Sequence, residues 1–228
     1  MYFDIHVHTI ISPCSKLEVN EVLEQAGTKG LDGVCITDHN TMEIRNYLRE
    51  GIQPNGLCVI FGMEYATANG DYLIFGPFEN IPSGLSDQLL LERVYKAGGI
   101  AIAAHPFRTG RSCREPVFLE KNCCALEIIN GRNIEFENLR ARQAARKYNL
   151  TECGGSDAHT LEELGRVTTC INYPVRSRKD LIFSVKNNLC TAQWNICNFS
   201  KPNVNLFTHH MGCHYISIVP GYLKTKQQ

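Results

Sequence analysis

Two histidines, His6 and His8, open a series of imidazole and carboxylate groups that continues down the chain. Thr37-Asp38-His39-Asn40, Gly62-Met63-Glu64, Ala104-His105-Pro106 and Gly155-Ser156-Asp157-Ala158-His159 follow, each closing a short apolar run. Imidazole nitrogen and carboxylate oxygen are the donor atoms that divalent cations take. Several such groups converging in one pocket are most simply explained by bound metal. Each motif alone has a plainer account. His-Pro ends a strand, Asp-His makes a turn, and Ser-Asp-Ala-His caps a helix opening at Thr160. Five in series, each at the end of a different apolar run, are seldom produced by packing alone.

Such motifs need a scaffold that brings residues 6 and 159 together. Apolar runs predict strands at 2–7, 33–37, 58–62, 72–75, 100–104, 126–129, 152–155 and 168–172. Helical spacing predicts helices at 17–29, 42–50, 86–97, 135–148 and 180–187. Strands alternating with helices argue for parallel strands and right-handed crossovers, an α/β fold closed as a distorted TIM-like (β/α)7 barrel. A period of two puts His6 and His8 on one face of their strand, and the carboxyl ends of parallel barrel strands converge on one mouth. The barrel domain is expected over 1–190. Residues 191–228 carry Pro202 and Pro220 and little pattern, so an irregular extension is expected there, packed on the barrel through Trp194 and Tyr215 and loose at its end.

The 228 residues hold 23 Lys plus Arg and 23 Asp plus Glu, a formal net charge of zero. No summed field then draws the chain to nucleic acid or anionic membrane. That argues against a polynucleotide partner and requires any anion to be held by a local site. Apolar runs such as 99–104 fall far short of the roughly 20 residues that span a bilayer, so a soluble protein with no membrane partner is expected. The opening Met1-Tyr2-Phe3-Asp4-Ile5-His6 does not read as a signal peptide, which makes the cytoplasm the expected compartment. The 11 cysteines include no paired C-x-x-C. They read as free thiols in a reducing compartment, with Cys35, Cys58 and Cys170 inside apolar runs.

In order and spacing, the five motifs resemble the motif series of the PHP (polymerase and histidinol phosphatase) superfamily over residues 1–185. The resemblance implies a distorted seven-stranded barrel, two or three divalent metals (commonly manganese, iron or zinc) and hydrolysis of phosphate esters. It also implies ligands: His6, His8, Glu64 and Asp157 around one metal, Glu64 bridging to a second with His105, and His39 with His159 at a third. Two positions depart from the family pattern. Many members have an aspartate where this chain has Pro13, which carries no donor atom, and Cys14 beside it is a candidate soft substitute. Many have a histidine where this chain has Asp71, a carboxylate that can still bind metal.

Closely spaced cations lower the pKa of a bound water and neutralise phosphoryl oxygens, so a metal-activated hydroxide needs no protein nucleophile. His39, His159 and Asp157 are the candidates to protonate the leaving alkoxide. Arg108, Arg132 and Arg166, with Arg111 beside the first, are the candidate forks for phosphate, Arg108 foremost. The expected substrate is a small phosphomonoester: a nucleotide, a sugar phosphate or a relative of histidinol phosphate. Two alternatives stay open. One is a catalytically weak metal-binding regulatory or interaction module, which the loss at position 13 suggests. The other is a carbon–nitrogen amidohydrolase using the same hydroxide. His209, His210, Cys213 and His214 match no ordinary zinc spacing and read as surface.

Overall fold

The computed structural model describes residues 1–78, 80–113, 117 and 122–195. Its strands form two sheets. The first runs β11 (Cys190–Trp194), β10 (Val167–Ile171), β1 (Tyr2–Val7), β2 (Gly33–Ile36), β4 (Cys58–Phe61) and β3 (Gly51–Ile52). The second runs β5 (Met63–Thr67), β6 (Gly70–Phe75), β7 (Ile100–Ala104), β8 (Ala125–Asn130) and β9 (Thr151–Gly155). Helices α1 (Val19–Gln25), α2 (Asp87–Lys96), α3 (Glu135–Tyr148) and α4 (Arg178–Lys186) lie between strands in sequence.

The central strands β1-β2-β4 and β7-β8-β9 are parallel. Most of their residues are buried on both faces, which is why the sequence shows continuous apolar runs there. Not all strands are parallel, however. β5 and β6 make a hairpin, β6 pairs antiparallel with β7, and β10 is antiparallel to β1 and β11. The hairpin turn is closed by Thr67 Oγ1 donating to the Gly70 carbonyl at 2.8 Å, with Gly70 at φ 137°. So short a turn joins only antiparallel neighbours. The helix expected over 42–50 reduces to a 3₁₀ turn, Glu43–Asn46; Met42 and Ile44 are buried and Leu48 partly so, while the rest of the segment is exposed. The chain of 191–194 is strand β11 rather than irregular extension; Trp194 ends it, partly exposed, and Tyr215 lies outside the described residues.

The two sheets meet at two seams. At one, β1 runs against the segment after β9: Val7 bridges Ala158, and His8 N donates to the Ala158 carbonyl at 2.9 Å. At the other, His39 bridges Glu64, and Glu64 N donates to the Thr37 carbonyl at 3.1 Å. Both seams are therefore built from the chemistry-bearing motifs. Apolar side chains from both sheets, Phe3, Ile5, Cys35, Ile60, Leu73 and Ile102 among them, form one core cluster. Each contributes about 1.5–3 kcal/mol by leaving water where the side chain is Leu, Ile or Phe. A second cluster lies under α2 and α3 and a third under α1. None of the nine described cysteines is in a disulfide; Cys35 and Cys58 are buried and Cys170 partly so. No described helix is long and apolar enough to cross a membrane.

Candidate metal centre

Each motif sits where a strand gives way to a loop. His6 is in β1 and His8 just beyond it, His39 follows β2, His105 follows β7, and Asp157 and His159 follow β9. Glu64 is the exception: Gly62 breaks the strand between β4 and β5, and Glu64 lies within β5 opposite Leu73. A side chain at Gly62 would meet the Ile74 carbonyl at 2.8 Å, so only glycine allows this bend against β6. Asn40, His105 and Asp157 adopt left-handed φ values of 55°, 29° and 55°. Backbone of this kind persists only where surrounding contacts over-determine it, and here all three positions border the same cluster.

Four donor atoms face one another at its centre. His6 Nε2 lies 3.0 Å from His8 Nε2, 3.5 Å from Glu64 Oε2 and 3.6 Å from Asp157 Oδ1. His8 Nε2 lies 3.2 Å from Glu64 Oε2 and 3.4 Å from Asp157 Oδ1. Ligands about 2.1 Å from one ion stand about 3.0 Å apart in octahedral and about 3.4 Å apart in tetrahedral geometry. The donor spacing therefore fits a single divalent ion. Two further sets adjoin. His105 Nε2 reaches Glu64 Oε1 at 2.8 Å, which groups His6, Glu64 and His105. His39 Nδ1 reaches Glu64 Oε2 at 2.9 Å, and His8, His39 and His159 form the third group. Within each group the donor atoms lie within 4.8 Å of one another. Glu64 is the hub, touching four imidazoles.

Burial opposes charge on His6, but the carboxylates of Glu127, Asp157 and Glu64 outweigh it and hold its pKa well above the usual histidine range. His8 is raised too: against its burial, the hydrogen bonds it donates to Asp157 and Glu64 favour the charged ring. Against the cost of burial, the same contacts hold Glu64 and Asp157 well below the usual carboxylate range. His159 moves down, through burial and the charge of His8, and so stays neutral.

Around these lies a ring of buried polar groups that motif reading missed. Glu127 in β8 meets His6 Nδ1 at 3.0 Å and accepts from the His105 backbone N–H at 2.8 Å. Asp38 accepts from Thr9 N and Thr9 Oγ1, both at 2.8 Å, and from Ser12 Oγ at 2.6 Å, fixing the loop after β1. Asp4 accepts from Ser156 N at 3.0 Å and Gly165 N at 2.8 Å, fixing the loop after β9. Gly155 lies against this ring: a Cβ there would stand 2.5 Å from the His6 Cβ and 2.7 Å from Glu127 Oε1. Gly155→Ala is expected to lose about 1–3 kcal/mol of stability by overpacking. Urea unfolding of the metal-free protein would measure it, and an unchanged midpoint would contradict the close approach.

A model of the PHP domain matches residues 4–160, and a model of the PHP-associated region matches residues 135–190. The chain belongs to the PHP family. An uncharacterized protein of Methanocaldococcus jannaschii is 33% identical over 174 residues, 72% of this chain and 68% of its own length. A two-domain protein from Bacteroides vulgatus, containing a predicted PHP-like metal-dependent phosphoesterase, superposes with TM-score 0.67 at 18% identity, covering 86% of this chain and 65% of its own. A lesion-specific endonuclease from Pyrococcus furiosus superposes with TM-score 0.63 at 16% identity, covering 82% and 56%. Those two share the fold. As a PHP protein the chain is a metal-dependent hydrolase, and the donor set above is where its ions fit.

Other candidates fall differently in this PHP domain. Asp71 is outside the three donor groups: its carboxylate is engaged by Arg111, through Nε at 2.9 Å and through Nη2, and its Oδ2 is 4.0 Å from His105 Nε2. The carboxylate is thus paired with a guanidinium. Cys14 is exposed and in none of the donor groups. Arg108 reaches the centre: Nη2 donates to Asp157 Oδ2 at 2.8 Å and to Asn130 Oδ1 at 2.7 Å, and Nε donates to Asn133. Arg132 Nη1 lies 2.9 Å from His159 Nδ1. Arg166 is turned away, with Nε donating to the Glu162 carbonyl on the exposed side. His209, His210, Cys213 and His214 lie outside the described residues.

Proposed function

We propose that this PHP chain hydrolyses phosphate esters, with a small phosphomonoester as substrate, over two or three manganese, iron or zinc ions held by His6, His8, His39, Glu64, His105, Asp157 and His159. The observation that carries the reading is Arg108. It borders the donor cluster through Asp157, is pinned by Asn130 and Asn133, and leaves Nη1 uncommitted among the described bonds. A guanidinium so placed beside a metal site suits a phosphoryl group. Counting the bent β4–β5 as one strand, seven strands (β1, β2, β4–β5, β6, β7, β8 and β9) surround the centre, and we read them as a distorted barrel.

Divalent ions at these donors would lower the pKa of a bound water and offset phosphoryl charge. The chain's own residues supply the rest. Arg108, with Arg132 across the mouth, orients the phosphoryl oxygens. Asp157 has both oxygens engaged and a depressed pKa, so it positions rather than transfers a proton. His39, with a side chain 37% exposed, and neutral His159 would exchange a proton with the leaving oxygen where two ions leave the third donor group free of metal.

A second reading has one finding in its favour. The fold is shared with a lesion-specific endonuclease, so a polynucleotide belongs among the substrates tested. One panel separates the readings. Protein supplemented with manganese, iron(II) or zinc is assayed on aryl phosphates, nucleotides, sugar phosphates, duplex DNA with an abasic site, and simple amides. Phosphate release from a monoester is expected. Cleavage of the duplex alone, or of amides alone, would overturn the monoester assignment, and metal-loaded protein inert on all would point to a binding module.

A further inference from the structure

We propose that Glu127 is a positioning residue for the metal centre: its buried carboxylate aims the His6 imidazole into the donor cluster and at the same time holds the backbone that carries His105. The inference rests on reading the cluster as a metal centre. Glu127 lies in the middle of β8, wholly shielded from water, and supplies no atom to any of the three donor groups. A carboxylate in such a place needs partners, and these are specific. Oε1 lies 3.0 Å from His6 Nδ1, while Oε2 accepts from His105 N at 2.8 Å and from Asn130 Nδ2 at 2.9 Å.

An ionised carboxylate only accepts, so the hydrogen of this pair sits on Nδ1. Nε2 is then the His6 nitrogen whose lone pair can face an ion, and it is Nε2 that points at His8, Glu64 and Asp157. The second oxygen acts on a different ligand. His105 has φ 29°, a conformation costly for a residue with a β-carbon, and the bond from its N–H to Glu127 is one of the contacts that hold it. From that backbone, His105 Nε2 reaches Glu64 Oε1. One side chain thus sets the aim of ligands on β1 and after β7, two donors on different strands that share Glu64.

Glu127→Gln tests this, because the amide keeps the volume while its nitrogen cannot accept from either N–H. Calorimetric titration of metal-stripped protein with zinc should show affinity about 10–100-fold weaker than in the parent, with the far-UV circular dichroism of the fold retained. Long-range ¹H–¹⁵N spectra of the zinc-loaded parent should show His6 protonated at Nδ1 and metal-bound at Nε2, a pattern lost or mixed in the variant. Unchanged zinc affinity in the variant overturns the proposal. So does an unprotonated His6 Nδ1 in the parent, which needs no variant to fold. A parent that binds no zinc, manganese or iron defeats the metal-centre reading itself and the role of Glu127 with it.

Discussion

Asp157→Asn is expected to abolish phosphate-ester hydrolysis and tight metal binding while leaving the fold intact. Asp157 sits at φ 55°, where asparagine is among the best tolerated residues, and the amide is isosteric with the carboxylate. The hydrogen bonds decide how the amide turns. Arg108 Nη2 at 2.8 Å and Asn130 Nδ2 at 3.4 Å both donate to the Oδ2 position, so the oxygen of the new side chain must stay there. The nitrogen then occupies the Oδ1 position, among His6 Nε2, His8 Nε2 and the Glu64 carboxylate. An amide nitrogen has no lone pair to offer a cation, so one donor of the central four is lost without disturbance of its neighbours. Loss of activity should be at least the about 10²–10³-fold that removal of one charge-stabilising group costs. Initial rates with manganese or zinc supplied, beside metal analysis of the dialysed protein, measure both effects. A fully active variant would overturn the site assignment.

The ligands were legible because each is tied to a local signal: a short apolar run and the residue that ends it. His6, His8, His39, His105, Asp157 and His159 need only their own strand to be recognised as a series, and the ends of those strands bring them to one cluster beside the two seams. What was not legible depends on partners far along the chain. Asp71 reads as a donor in its own segment, yet Arg111, 40 residues on, takes its carboxylate. Arg166 follows the last motif and still faces solvent, because its loop turns outward at Glu162. A strand was expected at 72–75, but its antiparallel direction was not, because strand Met63–Thr67 and the four-residue turn at 67–70 that reverses the chain carry no apolar run of their own. Glu127 did leave a trace. A lone carboxylate within Ala125–Asn130, otherwise apolar up to its final asparagine, is a buried charge that must be paired, and strand pattern alone names neither partner.

Metal affinity is expected to rise steeply with pH between about pH 6 and 8, by about tenfold per unit for each proton the ion displaces. The electrostatics of the cluster set this direction. Glu127, Asp157 and Glu64 together overcome the burial of His6 and hold its pKa well above the usual histidine value. In the metal-free protein a proton therefore stays on the His6–His8 pair through neutral pH, shared across Nε2 atoms 3.0 Å apart. A cation needs that lone pair, so it binds by expelling the proton. Lowering the pH favours the protonated cluster and weakens binding; raising it strengthens binding until the pH passes the elevated pKa, where the dependence flattens. The carboxylates add nothing in this window, because Glu64 and Asp157 are held well below their ordinary range and are already ionised. Calorimetric titrations with zinc or manganese at pH 6, 7 and 8, repeated in buffers of different ionisation heat, give the affinity and count the protons released. An affinity that does not change with pH, or binding without proton release at pH 7, would show that the imidazole pair is neutral before the ion arrives and would remove the three-carboxylate account of its charge.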